Sequence, residues 1–327
     1  MSSPTVTVVV ETYNLGEGQS HDSLVASLRA ATLAARPDAD GPQRHRLLLM
    51  DPIGDDRVAA MLSAMGVEVQ HVRLPQQTGY DVCKNLAAEM AETDVVLYLD
   101  GDCEPRAGGA AWADRMVAEL LECGAPGVGG ITVYRGRTPF HLACSVLDFG
   151  FLASAASQRG DGVLGCYASN NVAFWREARV ATTMDTELMR CACYEHAQRF
   201  ERAGTPIRLA RHPDVIVEHE LPAFWKERHR RGLDAVLAVD ADPMAFEARY
   251  FGPGRGRIRD VARFLRVMCG LDQARTACVA EWAGAGPWTR RAARLLLPVL
   301  RLAELPGIVV ALRSRRTAAR SGAATQR

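Results

Sequence analysis

The 327-residue sequence has no excess of charge of either sign: 39 Lys and Arg stand against 38 Asp and Glu, a net charge of +1. No field over the whole molecule therefore selects nucleic acid as a partner, and any attraction must be local. Paired cysteines are also missing. Cys83, Cys103, Cys123, Cys144, Cys166, Cys191, Cys193, Cys269 and Cys278 show neither CxxC spacing nor a compact framework. That excludes a disulfide scaffold and makes them small buried hydrophobes in a reducing compartment. There are no internal repeats. Met1 to Pro4 lead straight into a strand-like run without a basic segment and long apolar stretch, so a cytoplasmic protein is expected. With 48% hydrophobic and 24% charged residues the chain is not disordered, and its length allows one large core or two small ones.

What is present alternates. Thr5 to Val10 is an apolar, β-branched run that suits a strand buried on both faces, and it ends in the polar turn Glu11-Thr12-Tyr13-Asn14. Ser23 to Ala35 repeats apolar residues at helical spacing, and Arg46 to Met50 gives a second strand stopped by Asp51-Pro52. A helix from Asp56 to Met65, a strand from Val67 to Val72, a helix from Asp81 to Glu92 and a strand from Val95 to Leu99 follow, and the last runs into Asp100-Gly101-Asp102. Such alternation predicts an α/β fold with a mainly parallel sheet flanked by helices. Polar groups gather after these strands, and the carboxyl edge of an open parallel sheet is where ligands bind. Further on, Trp112 to Cys123 reads as a helix and Ile131 to Arg135 as a strand. Gly204 has the position of a helix-ending glycine, Pro206 to Leu209 and Val215 to Val217 are short apolar runs, and Leu233 to Ala283 is helical.

The end of the chain differs. Leu295 to Leu312 is almost wholly apolar, interrupted by Pro298, Arg301, Glu304 and Pro306. Arg290, Arg291 and Arg294 precede it, and Arg313, Arg315 and Arg316 follow it. Its length barely crosses a hydrocarbon core of about 30 Å, and the internal ion pair and two prolines argue against a simple span. A segment lying in the headgroup region, on the inner face of the cell membrane, is the expectation, with a buried core helix as the structural alternative.

Asp100-Gly101-Asp102 is the most informative constellation. Two carboxylates separated by one residue at a strand end suit a hard divalent cation shared with substrate phosphates, although an ordinary acidic turn has the same spelling. Its context is an ordered set. Val8-Val9-Val10-Glu11-Thr12-Tyr13-Asn14, Asp51, Gly79 to Asn85, and Tyr98-Leu99-Asp100-Gly101-Asp102 together resemble the GT-A glycosyltransferases of family 2. Downstream, Gly165 to Arg176 looks like that family's glycine, asparagine and Ala-Phe-Arg segment. Arg199 and Gly204 fall where it has the arginine and glycine of its acidic helix. Val217-Glu218-His219 looks like its late Val-x-His, and Arg228 to Gly232 resembles its basic loop.

The resemblance covers residues 5 to about 235. It implies a GT-A catalytic domain over 1–235; the residue pattern beyond it gives a helical extension over 236–286 and a basic, apolar, membrane-associating segment and tail over 287–327. The reaction the resemblance implies is inverting sugar transfer from a nucleotide-diphosphate sugar, a UDP-sugar by preference, to a hydroxyl acceptor, and the C-terminal segment alone points to a lipid-linked or polysaccharide one. Carried over, Thr12 and Tyr13 flank the nucleoside, Asp51 bonds the base, and Lys84 lies near the base or phosphate. Asp102, with Asp100 beside it and His219 as a further ligand, holds Mg²⁺ or Mn²⁺, while Asn170 and Asn171 fall to the acceptor side. Each has a bland alternative: edge packing for Tyr13, a cap for Asp51, a solvated charge for Lys84, a satisfied loop histidine for His219, and turns for the asparagines.

One departure stands out. The Glu-Asp pair that supplies the family's catalytic base falls on Ala192 and Cys193, neither of which is a carboxylate. Glu195 is the nearest acid and the first candidate base, with Asp185 and Glu187 one to two turns earlier. Two other readings therefore accompany the enzyme: a non-catalytic relative that binds nucleotide as an assembly subunit, and a sugar nucleotidyltransferase. The latter would want a glycine-rich phosphate loop that the amino end lacks.

Overall fold

The structure is a computed structural model that describes residues 3–16, 20–36, 44–54, 56–64, 66–76, 78–156, 162–188, 191–241 and 245–324. Strand β1 (Val6–Glu11) is buried along its whole length and ends in a one-turn helix, α1 (Tyr13–Gly16). Helix α2 (His21–Ala35) starts at Ser20, whose side chain accepts from the Ser23 N–H, the usual service of an N-cap serine. Then come β2 (Arg46–Asp51), α3 (Asp56–Ala64), β3 (Val69–Arg73), α4 (Tyr80–Met90) and β4 (Val95–Asp100). These match the expected alternation to within a few residues, and Met65 lies outside the described residues.

The chain continues through β5 (Cys103–Pro105), α5 (Gly109–Cys123), β6 (Gly127–Gly129), β7 (Ile131–Tyr134), α6 (Pro139–Ser154), β8 (Asn171–Trp175), α7 (Arg176–Ala181), α8 (Ala192–Arg202), β9 (Arg208–Leu209) and β10 (Ile216–His219). Gly204, at φ +77°, ends the α8 turn as expected. The remainder is helical: α9 (Phe224–Ala241), α10 (Ala248–Phe251), α11 (Ile258–Trp282), α12 (Pro287–Leu302) and α13 (Leu305–Ala324).

The chain divides into two compact units. The first, residues 1–135 and 151–220, holds both sheets. Its seven-stranded sheet has the order β3-β2-β1-β4-β8-β6-β9; β3, β2, β1 and β4 run parallel, and β8 is antiparallel to β4 and β6. This is the mainly parallel, helix-flanked α/β architecture of the expectation. A small sheet, β5-β10-β7, pairs His219 with Cys103 and so carries β10 to the residue beside Asp102.

The second unit comprises residues 136–150 and 221–327. Val236, Tyr250, Phe251, Phe264, Ile308 and Ala311 form its apolar core. A chain of buried charges crosses it. Arg228 is bonded to both Asp148 and Glu304, and Arg301 to both Glu304 and Asp272. The stretch Arg228 to Gly232, expected as a basic loop, instead lies inside α9, and Arg228 is a structural cation. Helices α9 and α13 approach so closely that a Cβ on Gly232 would stand 2.1 Å from the Glu304 carbonyl oxygen.

Candidate active site at the carboxyl edge of the sheet

Strands β1, β2 and β4 deliver their last residues to one edge. Glu11 lies opposite Asp100 in the ladder, and the Gly101 N–H donates to the Glu11 carbonyl at 3.0 Å. That approach explains the middle residue of the triplet, since a Cβ at 101 would meet the same oxygen at 2.6 Å.

The two carboxylates of the triplet have different surroundings. Asp100 accepts a charged hydrogen bond from Lys84, which reaches it from α4 and is itself buried. Lys84 Nζ also lies 3.8 Å from Glu11 Oε1. Burial and the neighbouring Asp100 push Glu11 up to about 8, so at neutral pH it holds its proton. Glu11 Oε1 is buried without a hydrogen-bond partner, and its Oε2 accepts from the Tyr13 N–H at 2.5 Å. A protonated Glu11 beside the Lys84–Asp100 pair leaves this cluster close to neutral, which is how three ionisable groups share a buried space.

Asp102 faces the other way. Its Oδ2 accepts from Asn14 Nδ2 at 2.9 Å and lies 3.2 Å from His219 Nε2, and its Oδ1 accepts from the Cys103 thiol at 3.4 Å. His219 Nδ1 is 2.5 Å from the Glu220 carbonyl, which can only accept, so Nδ1 carries the hydrogen. In neutral His219 the Nε2 lone pair then points at a carboxylate oxygen. Asp102 Oδ2 and His219 Nε2 are therefore bridged either by one hydrogen, carried by the carboxyl or by the ring, or by a metal ion. Asp102, Cys103 and His219 offer ligand atoms within 4.8 Å of one another. Burial and the Asp102 charge push the Cys103 thiol well up, which keeps it a protonated donor to Asp102. As candidate ligands the three residues offer one carboxylate and one imidazole beside a protonated thiol. This set fits Mg²⁺ or Mn²⁺ better than a thiolate-seeking ion.

The other expected site residues fall as follows. Asp51 is fully buried: Oδ1 accepts from Thr12 Oγ1 at 2.8 Å and from the Ile53 and Gly54 N–H groups, and Oδ2 meets His71 Nε2 at 2.9 Å. It shapes the loop that presents Thr12. Tyr13 stands edge-on to Tyr80, with ring centroids 6.1 Å apart, at the rim of the same edge. Asn170 is buried and accepts from Thr132 Oγ1 at 3.0 Å. Asn171 is fully buried, donating to the Ile131 and Val215 carbonyls and accepting from Trp112 Nε1. Both asparagines serve as ties within the first unit.

Among the acids, Glu195 accepts from Arg199 Nε at 2.8 Å and has Arg202 at 3.6 Å. Cys193, on the opposite stripe of α8, is buried with its sulfur 3.9 Å from the Tyr80 hydroxyl. Asp185 and Glu187 are exposed, and Asp185 Oδ1 accepts from the Glu187 N–H. Asp185 lies close enough to Asp81, in the first turn of α4, to raise its pKa after the larger effect of burial. Asn85, also on α4, binds both backbone groups of Met184 and so holds the 184–185 segment against that helix.

Glu11, Asn14, Tyr80 and Asp81 stand within the motifs named above, yet the sequence alone assigned none of them a role. The first two stood in the polar turn after β1, but nothing local said that they meet β4. A cavity of about 500 Å³ lined by Thr7, Arg46, Gln70 and Glu92 lies at the opposite, amino edge, away from this chemistry.

The first unit thus sets two acids and a histidine at the carboxyl edge of a mainly parallel α/β sheet. By sequence, no family model and no curated protein matches the chain. Among solved structures, the chain is similar to the mannosyltransferase PcManGT from Pyrobaculum calidifontis in complex with GDP-Man and Mn²⁺. The TM-score is 0.57 and the identity 16%, over 95% of this chain and 88% of that one. It is also similar to a mycobacterial protein, with a TM-score of 0.51 and 16% identity over 74% of this chain and 76% of that one. At such identities the likeness establishes the fold.

Proposed function

We propose that the protein transfers a sugar from a nucleotide-diphosphate sugar to a hydroxyl acceptor, glycan or lipid-linked, with inversion at the anomeric carbon. The observation that carries this reading is the Asp102–His219 pair, a carboxylate oxygen and an imidazole nitrogen 3.2 Å apart at the carboxyl edge of the sheet, where open parallel sheets bind ligands. Asp102 and His219 would hold Mg²⁺ or Mn²⁺, which neutralises charge on the leaving diphosphate when bound. Asn14 and Cys103 fix the Asp102 carboxylate, and the Glu220 carbonyl fixes the His219 tautomer, so the ligands need no reorientation on binding. Thr12 and Tyr13 line the nucleoside side, with Asp51 holding Thr12 in place.

Transfer forms the acceptor oxygen–carbon bond as the carbon–phosphate-oxygen bond breaks. The acceptor proton passes to a carboxylate, for which Asp185, beside α4, is better placed than the arginine-bound Glu195. A UDP-sugar is the donor that the sequence resemblance favours; the GDP-Man held by the structurally similar mannosyltransferase makes GDP the alternative. A second reading, a nucleotide-binding subunit without turnover, is favoured by Cys193 at the position where the resemblance expects an acid.

Calorimetry with UDP and GDP sugars, with and without Mn²⁺, tests the binding half. Asp102→Ala should abolish the metal-dependent part of donor affinity, and unchanged metal dependence in that variant would sink the assignment. Nucleotide release across a donor panel separates enzyme from binding subunit.

A further inference from the structure

The near-zero net charge of the chain hides a strong division. The second unit carries 21 Lys and Arg against 10 Asp and Glu, a net +11, while the first carries 18 against 28, a net −10. On the basic unit, α12 has two opposed faces. Ala293, Leu297, Leu300 and Arg301 are buried against its own unit. Trp288, Leu295, Val299 and Leu302 stand 78%, 79%, 63% and 53% exposed. At roughly 100° per residue these four fall on one line, about half a turn from the buried face. Arg291 shares that line, and Arg294 flanks it.

We propose that this stripe of α12 seats the protein on an anionic phospholipid surface, with the helix lying in the plane of the interface. A narrow apolar line bordered by arginines is what an interfacial helix presents. The aromatic and aliphatic side chains reach the acyl boundary, and the guanidinium groups stay at the phosphates. The +11 charge supplies long-range attraction to such a surface, and would repel a second copy of the same face.

The buried charges exclude the other membrane arrangement. Among the described residues, Pro287–Arg315 is long and apolar enough by composition to cross a bilayer, and 39% of its most apolar stretch is buried within the protein. At its centre, however, Arg301 and Glu304 are paired with Asp272 and Arg228. Spanning would tear both from their partners and place them in hydrocarbon. Lying flat keeps every one of these bonds.

The test reads lipid binding, with no need for turnover, so it stands or falls apart from the transferase reading. Full-length protein is sedimented with phosphatidylcholine vesicles with and without about 30% phosphatidylglycerol, at low and high salt. The Leu295→Glu/Val299→Glu variant changes only exposed positions and should fold, and Leu121→Glu, at an exposed apolar residue of the first unit, is the control. Binding is expected only with the anionic lipid, weakened by salt, reduced at least ~10-fold in the double variant and unchanged in the control. Equal binding by the double variant, or equal binding to neutral vesicles, overturns the proposal. So does retention in carbonate-washed membranes, which would indicate a span. A wild-type dimer that the double variant converts to monomer would make the stripe an interface between copies, and also overturns it.

Discussion

Lys84 is bonded to Asp100, the first carboxylate of the Asp100-Gly101-Asp102 triplet, whereas the second, Asp102, faces His219. The two acids are equivalent in spelling and opposite in duty. One is paired with a buried lysine; the other lies 3.2 Å from a histidine ring nitrogen.

The difference predicts unequal mutants. Lys84→Met leaves Asp100 buried without its partner, and breaking a buried pair from one side costs about 3–5 kcal/mol. Asp102→Ala removes a carboxylate whose pKa burial has already raised, and should alter stability far less. Urea midpoints of the two variants measure this. A Lys84→Met protein within about 1 kcal/mol of the parent would show that the pair is not a structural element.

Asn14 donates to Asp102 Oδ2 and touches the proposed metal through that residue only. Removal of such a supporting donor usually lowers metal affinity ~10- to 100-fold. Asn14→Ala should therefore weaken Mn²⁺ binding by that factor in calorimetry while metal-free nucleotide affinity holds. A fall in both alike would mean that the β1 turn itself had collapsed.

The acids compete for the base role in a way that one pair of variants resolves. Glu195→Gln loses an i,i+4 pair with Arg199 worth roughly 0.3–0.5 kcal/mol, and should keep turnover within a few-fold. Asp185→Asn should lower turnover by ~10² to 10⁴ with donor affinity little changed. The reverse ordering, read by nucleotide release, would return the role to Glu195.

His196 gives a pH signature. It is buried, its Nε2–H donates to the Thr182 carbonyl, and its Nδ1 accepts from the Tyr167 hydroxyl at 2.7 Å. Burial, and then the nearby Arg179, lower it to about 3 from 6.5. The unfolded chain takes up a proton at this residue near pH 6.5 while the folded protein refuses it. The stability due to neutral His196 is therefore intact above pH 6.5 and lost as pH falls toward 3, with a slope approaching ~1.4 kcal/mol per pH unit. Urea midpoints at pH 7, 5.5 and 4.5 should fall in the parent and fall less in His196→Gln. Parallel lines would refute the assignment.

The parallel half of the fold was legible because β1, β2 and β4 are buried on both faces and so read as unbroken apolar runs between polar turns. Strand β8 was not, since Asn171–Trp175 is antiparallel and its register with β4 is a matter of partners more than 70 residues away. The site was legible where one segment carried the chemistry, as at Asp100 to Asp102. It was illegible where the chemistry is a meeting: Asn14 with Asp102, Glu11 with Lys84, Asp148 with Arg228. The basic run at Arg228 looked like a loop because its counter-charges, Asp148 and Glu304, each lie some 80 residues off.

Gly101 has a consequence for how this chain should be searched for among genomes. Because the Glu11 carbonyl fills the space where its Cβ would stand, the middle position admits no side chain while β1 and β4 keep their register. A pattern with a free central letter discards that information. Descendants that share this edge should spell aspartate, glycine, aspartate, and any chain with a larger central residue must have moved one of the two strands.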